Sequence, residues 1–212
     1  MHDPHANMPV AHAGHELNGA RCAVILLHGR GSSAEDILGF ADTVHDERIA
    51  FLAPQAAHRT WYPYSFLAPI AQNEPWLSSA IAKIGSIIES CMAAGIRHRN
   101  IVVCGFSQGA CVATEFIARH PADYGALISF TGGLVGPSDT ELQHDGSLAG
   151  TRALFSSGDP DLHVPWSRVE ASARELERMG AQVELIRHIG KPHTIVEKEL
   201  EIARSLVHSI VN

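Results

Sequence analysis

The chain has 212 residues, 45% hydrophobic and 18% charged, which is enough apolar material for a folded core and excludes a disordered protein. Its net charge of −7, with no run of Lys or Arg, leaves no field to attract a phosphate backbone, so nucleic acid is excluded as a partner. No 18 apolar residues run together, and the N-terminus has neither a basic start nor an apolar centre. Neither stable membrane insertion nor a secretion signal is therefore expected, and the sequence reads as cytoplasmic.

Residues 1–18 carry His2, His5, His12 and His15 among Ala, Gly, Pro and Asn without periodicity, and read as a flexible His-rich arm preceding a single domain over 19–212. Imidazoles with no carboxylate or thiol partner at fixed spacing do not make a metal site, and none is expected here or elsewhere.

The domain opens with a strand over 21–27, "RCAVILL", whose end runs into "HGRGSS". A helix is expected over 32–44, capped by serines and acidic in its first turn, followed by a strand over 48–54. After that strand the loop contains Trp61, Tyr62, Tyr64 and Phe66, which either line a substrate pocket or pack the loop itself. Helical spacing of apolar residues predicts a helix over 74–95.

Next comes the strand 100–105, the sequence "GFSQGA", and a helix over 109–120 stopped by Pro121. A strand over 124–130 leads into "TGGLVGP", where Leu134 is a second candidate for the pocket wall. The strand 151–157 leads into "GDPDLHVP", and a helix over 165–180 begins with Pro and ends with Gly. The strand 182–189 leads into "GKPHTI", and an amphipathic helix over 193–211 closes the chain. Strands alternating with helices predict a mainly parallel sheet covered on both faces. About twenty residues between the 124–130 and 151–157 strands are too few for a large cap domain.

G-x-S-x-G arises by accident in a chain this long at roughly one chance in fifteen, so its setting must decide. Gly105, Ser107 and Gly109 stand between a buried strand and a helix, the strand-turn-helix context of a nucleophile elbow. Side chains at either glycine would collide with backbone in so tight a turn. A serine that only capped the helix would need neither glycine.

A serine nucleophile needs a base, and the base needs an anion, both from later strand ends. The acid is Asp159 or Asp161, and the base is His193. His188 lies within a strand, His120 and His208 lie late in helices, and His163 shares the acid's loop. Backbone N–H groups of Gln108, after the nucleophile, and of Arg30, in the first loop, would make the oxyanion hole. His28, in that same loop, reads as a structural hydrogen-bonding residue. The four cysteines, Cys22, Cys91, Cys104 and Cys111, lie in apolar elements without CxxC spacing and read as buried free thiols.

In order and spacing, "LLHGRGSS", "GFSQGA", "TGGLVGP", "GDPDLHVP" and "GKPHTI" resemble the phospholipase/carboxylesterase family of α/β-hydrolases, which includes the acyl-protein thioesterases. The resemblance covers residues 20–211 and implies the α/β-hydrolase fold. It implies Asp161, four before the proline of "D-x-x-V-P", as the acid, with His193 as base and Arg30 and Gln108 as oxyanion donors. It further implies cleavage of small-molecule carboxylic esters or thioesters without a cofactor, and it admits a homodimer. Arg30 stands where the similar thioesterases tend to carry an apolar residue. The stretch "WYPYSFLAPIAQNEPWL" is closer to a bacterial esterase-type branch, which points away from a palmitoyl-protein substrate but not from ester chemistry. The expectation is a serine carboxylesterase acting through an acyl-enzyme. Acyl transfer with the same residues and a ligand-binding protein on a hydrolase scaffold are the alternatives.

Overall fold

The computed structural model describes residues 3–139 and 141–212. Strands form where the apolar runs stand: β2 (Cys22–Leu27), β3 (Ile49–Pro54), β4 (Ile101–Phe106), β5 (Ala126–Phe130), β6 (Arg152–Asp159) and β7 (Gln182–Ile189). With β1 (Val10–Gly14) they make one sheet ordered β1-β3-β2-β4-β5-β6-β7. Every neighbouring pair from β3 to β7 is parallel, while β1 lies antiparallel on β3.

Parallel neighbours need crossovers, and helices supply most of them. Between β2 and β3 lies α1 (Ala34–Val44), and between β3 and β4 lie α2 (Ile70–Asn73) and α3 (Trp76–Ala93). After β4 comes α4 (Gln108–Arg119), after β6 comes α5 (Trp166–Arg178), and α6 (Glu197–Val211) ends the chain. Residues 131–151 connect β5 to β6 with no helix or strand among the described residues, so no large cap stands over that crossover.

The central strands are buried on both faces, and alternate side chains divide between two cores. Ala23, Ile25 and Leu27 of β2 pack with α3, α4 and α5, whereas Cys22, Val24 and Leu26 pack with α1 and α6. This places the site. Neighbours β2 and β4 send their following helices, α1 and α4, to opposite faces of the sheet, and the crevice beyond the carboxyl ends of two such strands is where open α/β sheets bind ligands.

The N-terminal segment departs from the sequence expectation. Residues 3–18 are not a flexible arm; His2 lies outside the described residues. Val10–Gly14 pairs in register with Pro54–Ala50, covering backbone groups that the outer edge of β3 would otherwise leave open. Upstream, His5 is fully buried between Trp61 and Trp76. Its Nδ1 accepts from the Ala57 N–H at 3.1 Å and its Nε2 donates to the Trp61 carbonyl at 3.0 Å, so the ring is neutral, in agreement with burial holding its pKa below the ordinary imidazole value.

The last helix begins at Glu197 rather than at 193. The difference matters because it leaves His193 in a loop.

Candidate active site

The turn after β4 is as tight as its glycines suggest. Ser107 adopts φ 54° and ψ −118°, a positive φ that is costly for a side-chain-bearing residue and must be imposed by its surroundings. Its N–H is held by the Phe130 carbonyl at 2.9 Å. A Cβ on Gly105 would stand 2.5 Å from the backbone of Gly109, and one on Gly109 would overlap the Leu27 carbonyl. Both glycines are therefore required for β4, the elbow, α4 and β2 to approach one another. The turn sets Ser107 at the N-terminus of α4, where unpaired N–H groups and the helix dipole favour a negative oxygen.

Three strand ends meet over this serine. His193 Nε2 lies 2.8 Å from Ser107 Oγ, and His193 Nδ1 lies 2.8 Å from Asp161 Oδ2. The other oxygen, Asp161 Oδ1, accepts the N–H groups of His163 at 2.8 Å and Val164 at 2.9 Å. Burial opposes ionisation of this carboxyl, but the bonds from His193 and from the two backbone groups outweigh it and hold its pKa below the usual value. Asp159 faces elsewhere, with Arg187 Nε donating to its Oδ2 at 2.6 Å. Of the two acids in the loop, Asp161 is the one that reaches the imidazole.

The histidine loop has its own foundation. Lys191 Nζ donates to both oxygens of Glu199, at 2.7 and 2.8 Å, and to the Thr194 carbonyl at 2.9 Å. Glu199 also accepts from Ser156 Oγ at 2.7 Å and from the Val196 N–H at 2.8 Å. The pair is buried, with side chains 5% and 0% exposed, and it ties the loop over 191–196 to β6 and to the first turn of α6. The rings of Phe106 and His163 pack on His193, with centroids at 5.1 and 4.8 Å.

On the other side of Ser107, His28 braces the first loop. Its Nδ1 donates to the Gly29 carbonyl at 2.8 Å and its Nε2 accepts the Ala56 N–H at 3.1 Å. Burial holds its pKa below the ordinary value, so it is a neutral brace and not a base. The side chains of Arg30 and Gln108, whose backbone N–H groups are the expected oxyanion donors, both reach into the aromatic loop. Gln108 Oε1 accepts the Trp61 N–H at 2.9 Å and Gln108 Nε2 donates to the Tyr62 carbonyl at 2.8 Å. Arg30 donates to the carbonyls of Pro63 at 2.9 Å and Tyr64 at 2.7 Å.

A cavity of about 510 Å³ opens over Ser107, walled by Arg30, Tyr62, Tyr64, Phe66, Cys111 and His163 among others. Trp61 and Leu134, expected in its wall, are fully buried behind it. Trp61 Nε1 donates to the His28 carbonyl at 2.8 Å, so this ring packs the two loops together. A cavity of about 540 Å³ along α5, walled in part by Arg168, Arg174 and Glu175, contains no paired nucleophile and base among the described residues.

A family model described as phospholipase/carboxylesterase matches residues 15–210. The chain belongs to the phospholipase/carboxylesterase family. Among solved structures it is similar to a phospholipase/carboxylesterase from Dyadobacter fermentans, at 39% identity and a TM-score of 0.90 over 97% of both chains. Carboxylesterase SOBER1 of Arabidopsis thaliana is 25% identical over 89% of this chain and 90% of its own length. Acyl-protein thioesterase 1 of Eremothecium gossypii is 31% identical over 73% and 72%. The chain is thus an α/β-hydrolase of the carboxylesterase type, and no helix among its described residues is long and apolar enough to cross a membrane.

Sequence reasoning missed several residues of this carboxylesterase-family site. Lys191 and Glu199 are eight apart across a loop-helix boundary, and no periodic pattern links them. Cys111 lines the cavity one turn beyond Ser107, a position that the helical repeat of α4 does disclose. All four thiols are free and buried, and burial pushes Cys22 up to about 12, Cys91 and Cys111 up to about 11, and Cys104 above its ordinary value as well, which disfavours the reactive thiolate at neutral pH.

Proposed function

We propose that this chain hydrolyses small carboxylic esters through Ser107, His193 and Asp161. The unbroken run of contacts from Ser107 Oγ through the His193 ring to Asp161, 2.8 Å at each step, is the observation that carries the reading. His193 Nε2 takes the hydroxyl proton as Ser107 Oγ attacks the ester carbonyl, and Asp161 holds Nδ1–H and stabilises the imidazolium. The backbone N–H groups of Gln108 and Arg30 receive the developing oxyanion. His193 returns the proton to the departing alcohol or thiol, leaving an acyl-Ser107 ester. Water, deprotonated by His193, attacks that ester and releases the acid.

Thioesters fit the same chemistry, and an acceptor alcohol in place of water would give acyl transfer. The four reduced thiols suit a reducing, cytoplasmic setting. The test is hydrolysis of p-nitrophenyl esters from acetate to palmitate by the wild type and by Ser107→Ala, with products analysed in added alcohol. Turnover that disappears in Ser107→Ala supports the reading. Equal turnover by both proteins, or none by either across the series, overturns it.

A further inference from the structure

The cavity over Ser107 holds a charge that the proposed chemistry does not use. Arg30 lines it, yet its guanidinium donates only to two neutral acceptors, the Pro63 and Tyr64 carbonyls. No carboxylate pairs with Arg30 among the described residues. Nor does any Asp or Glu among the described residues line the cavity, in a chain whose net charge is −7. A guanidinium has five N–H donors, so bonds to two carbonyls leave others for a ligand.

The group is also held in place before any ligand arrives. Two hydrogen bonds fix its fork against the aromatic loop, and its central carbon stands 5.9 Å from the centre of the Tyr62 ring. A fixed planar fork binds a carboxylate or phosphate with less loss of side-chain freedom than a mobile one. Arg30 and Ser107 line one cavity of about 510 Å³, so a single small molecule can reach both.

We propose that Arg30 selects esters carrying a second, anionic group, a carboxylate or phosphate, and that such compounds are the preferred substrates of this site. The inference rests on the ester-hydrolase reading above. Arg30 is exposed to solvent, which screens its charge, so the expected preference for the anionic ester is at most about tenfold in kcat/KM, below that of a buried pair.

The experiment compares matched esters, each rate divided by that of its hydroxide-catalysed hydrolysis. One pair, 4-acetoxybenzoate and its methyl ester, sets the charge on the leaving group. A second pair, the p-nitrophenyl monoester of suberate and its methyl-capped form, sets it on the acyl chain, and a third, 4-acetoxyphenyl phosphate and its dimethyl ester, supplies the phosphate arm. The quantity read is the ratio of charged to neutral kcat/KM in the wild type, Arg30→Lys and Arg30→Gln. A wild-type preference in any arm that shrinks with added salt, persists partly in Arg30→Lys and falls to about unity in Arg30→Gln supports the proposal. No wild-type preference in any arm overturns it, as does a ratio that Arg30→Gln leaves unchanged while both rates drop, the mark of a mere loop prop. Either failure leaves the hydrolase reading standing if the neutral esters are turned over and Ser107→Ala abolishes it. Absence of turnover on every ester overturns both.

Discussion

Replacing Glu199 by Gln should both destabilise the protein and slow it. In the structure all four acceptor positions of this carboxylate are filled, two by Lys191 Nζ, one by Ser156 Oγ and one by the Val196 N–H. The amide keeps the shape but loses the charge, and its NH2 turns a donor toward groups that are themselves donors. Lys191, 5% exposed, is left with its charge uncompensated, a change expected to cost about 3–5 kcal/mol. Against a typical total of about 5–15 kcal/mol this is a large share. Removing both charges, in Lys191→Met with Glu199→Leu, should recover much of it, leaving about 1–3 kcal/mol for the backbone and hydroxyl groups that lose partners. The assays are urea unfolding at constant slope and kcat on p-nitrophenyl acetate at a temperature where each variant is folded. Because the pair anchors the loop carrying His193, kcat should fall in Glu199→Gln with KM little changed. A stability within about 1 kcal/mol of wild type would refute the account of this pair as the loop's foundation.

Ser107→Ala and His193→Ala should each lower kcat by about ten-thousand-fold or more, while Asp161→Asn should leave the fold intact and lose turnover through misorientation of the ring; steady-state kinetics and circular dichroism separate these outcomes. Stability should fall on the acid side. Burial lowers the pKa values of His5 and His28 below 6.5 in the folded chain, so the unfolded state binds more protons below about pH 6.5 and stability declines as pH drops through that window. Urea midpoints from pH 5 to 8 should show a shallower decline in His5→Gln, which keeps a donor and an acceptor but does not titrate, and an unchanged slope would refute it. Gly109→Ala forces the Leu27 carbonyl away from α4, and should cost more than about 3 kcal/mol in unfolding experiments together with activity.

The sheet was legible in the sequence because strands buried on both faces leave continuous apolar runs, and six of them stand where β2 to β7 form. The elbow was legible because only glycine fits its two crowded positions. The strand β1 was not. Its residues, Val10–Gly14, are small or polar, and what makes them a strand is the open edge of β3, a partner some forty residues away whose need for pairing leaves no mark in the local sequence. Trp61 misled for a related reason. An aromatic residue in a strand-end loop is equally suited to a ligand wall and to packing, and its contact with the His28 carbonyl depends on how two loops meet in space.

The positions of Gln108 and Arg30 explain why the site is coupled to its own pocket wall. Each contributes the N–H expected to receive the oxyanion, and each sends its side chain into residues 60–64. A ligand that moved the aromatic loop would therefore pull on both donors at once. The loop is clamped from behind as well, since the buried His5 holds the Trp61 carbonyl and the Ala57 N–H. The N-terminal segment thus braces the pocket wall as well as the edge of the sheet. Deleting residues 1–15 should accordingly lower kcat/KM on the preferred ester by more than it lowers kcat on a saturating small one, because the wall loosens while Ser107, His193 and Asp161 keep their supports in β4, β6 and α6. Equal losses in both parameters would show that the segment stabilises the sheet and leaves the pocket to hold itself.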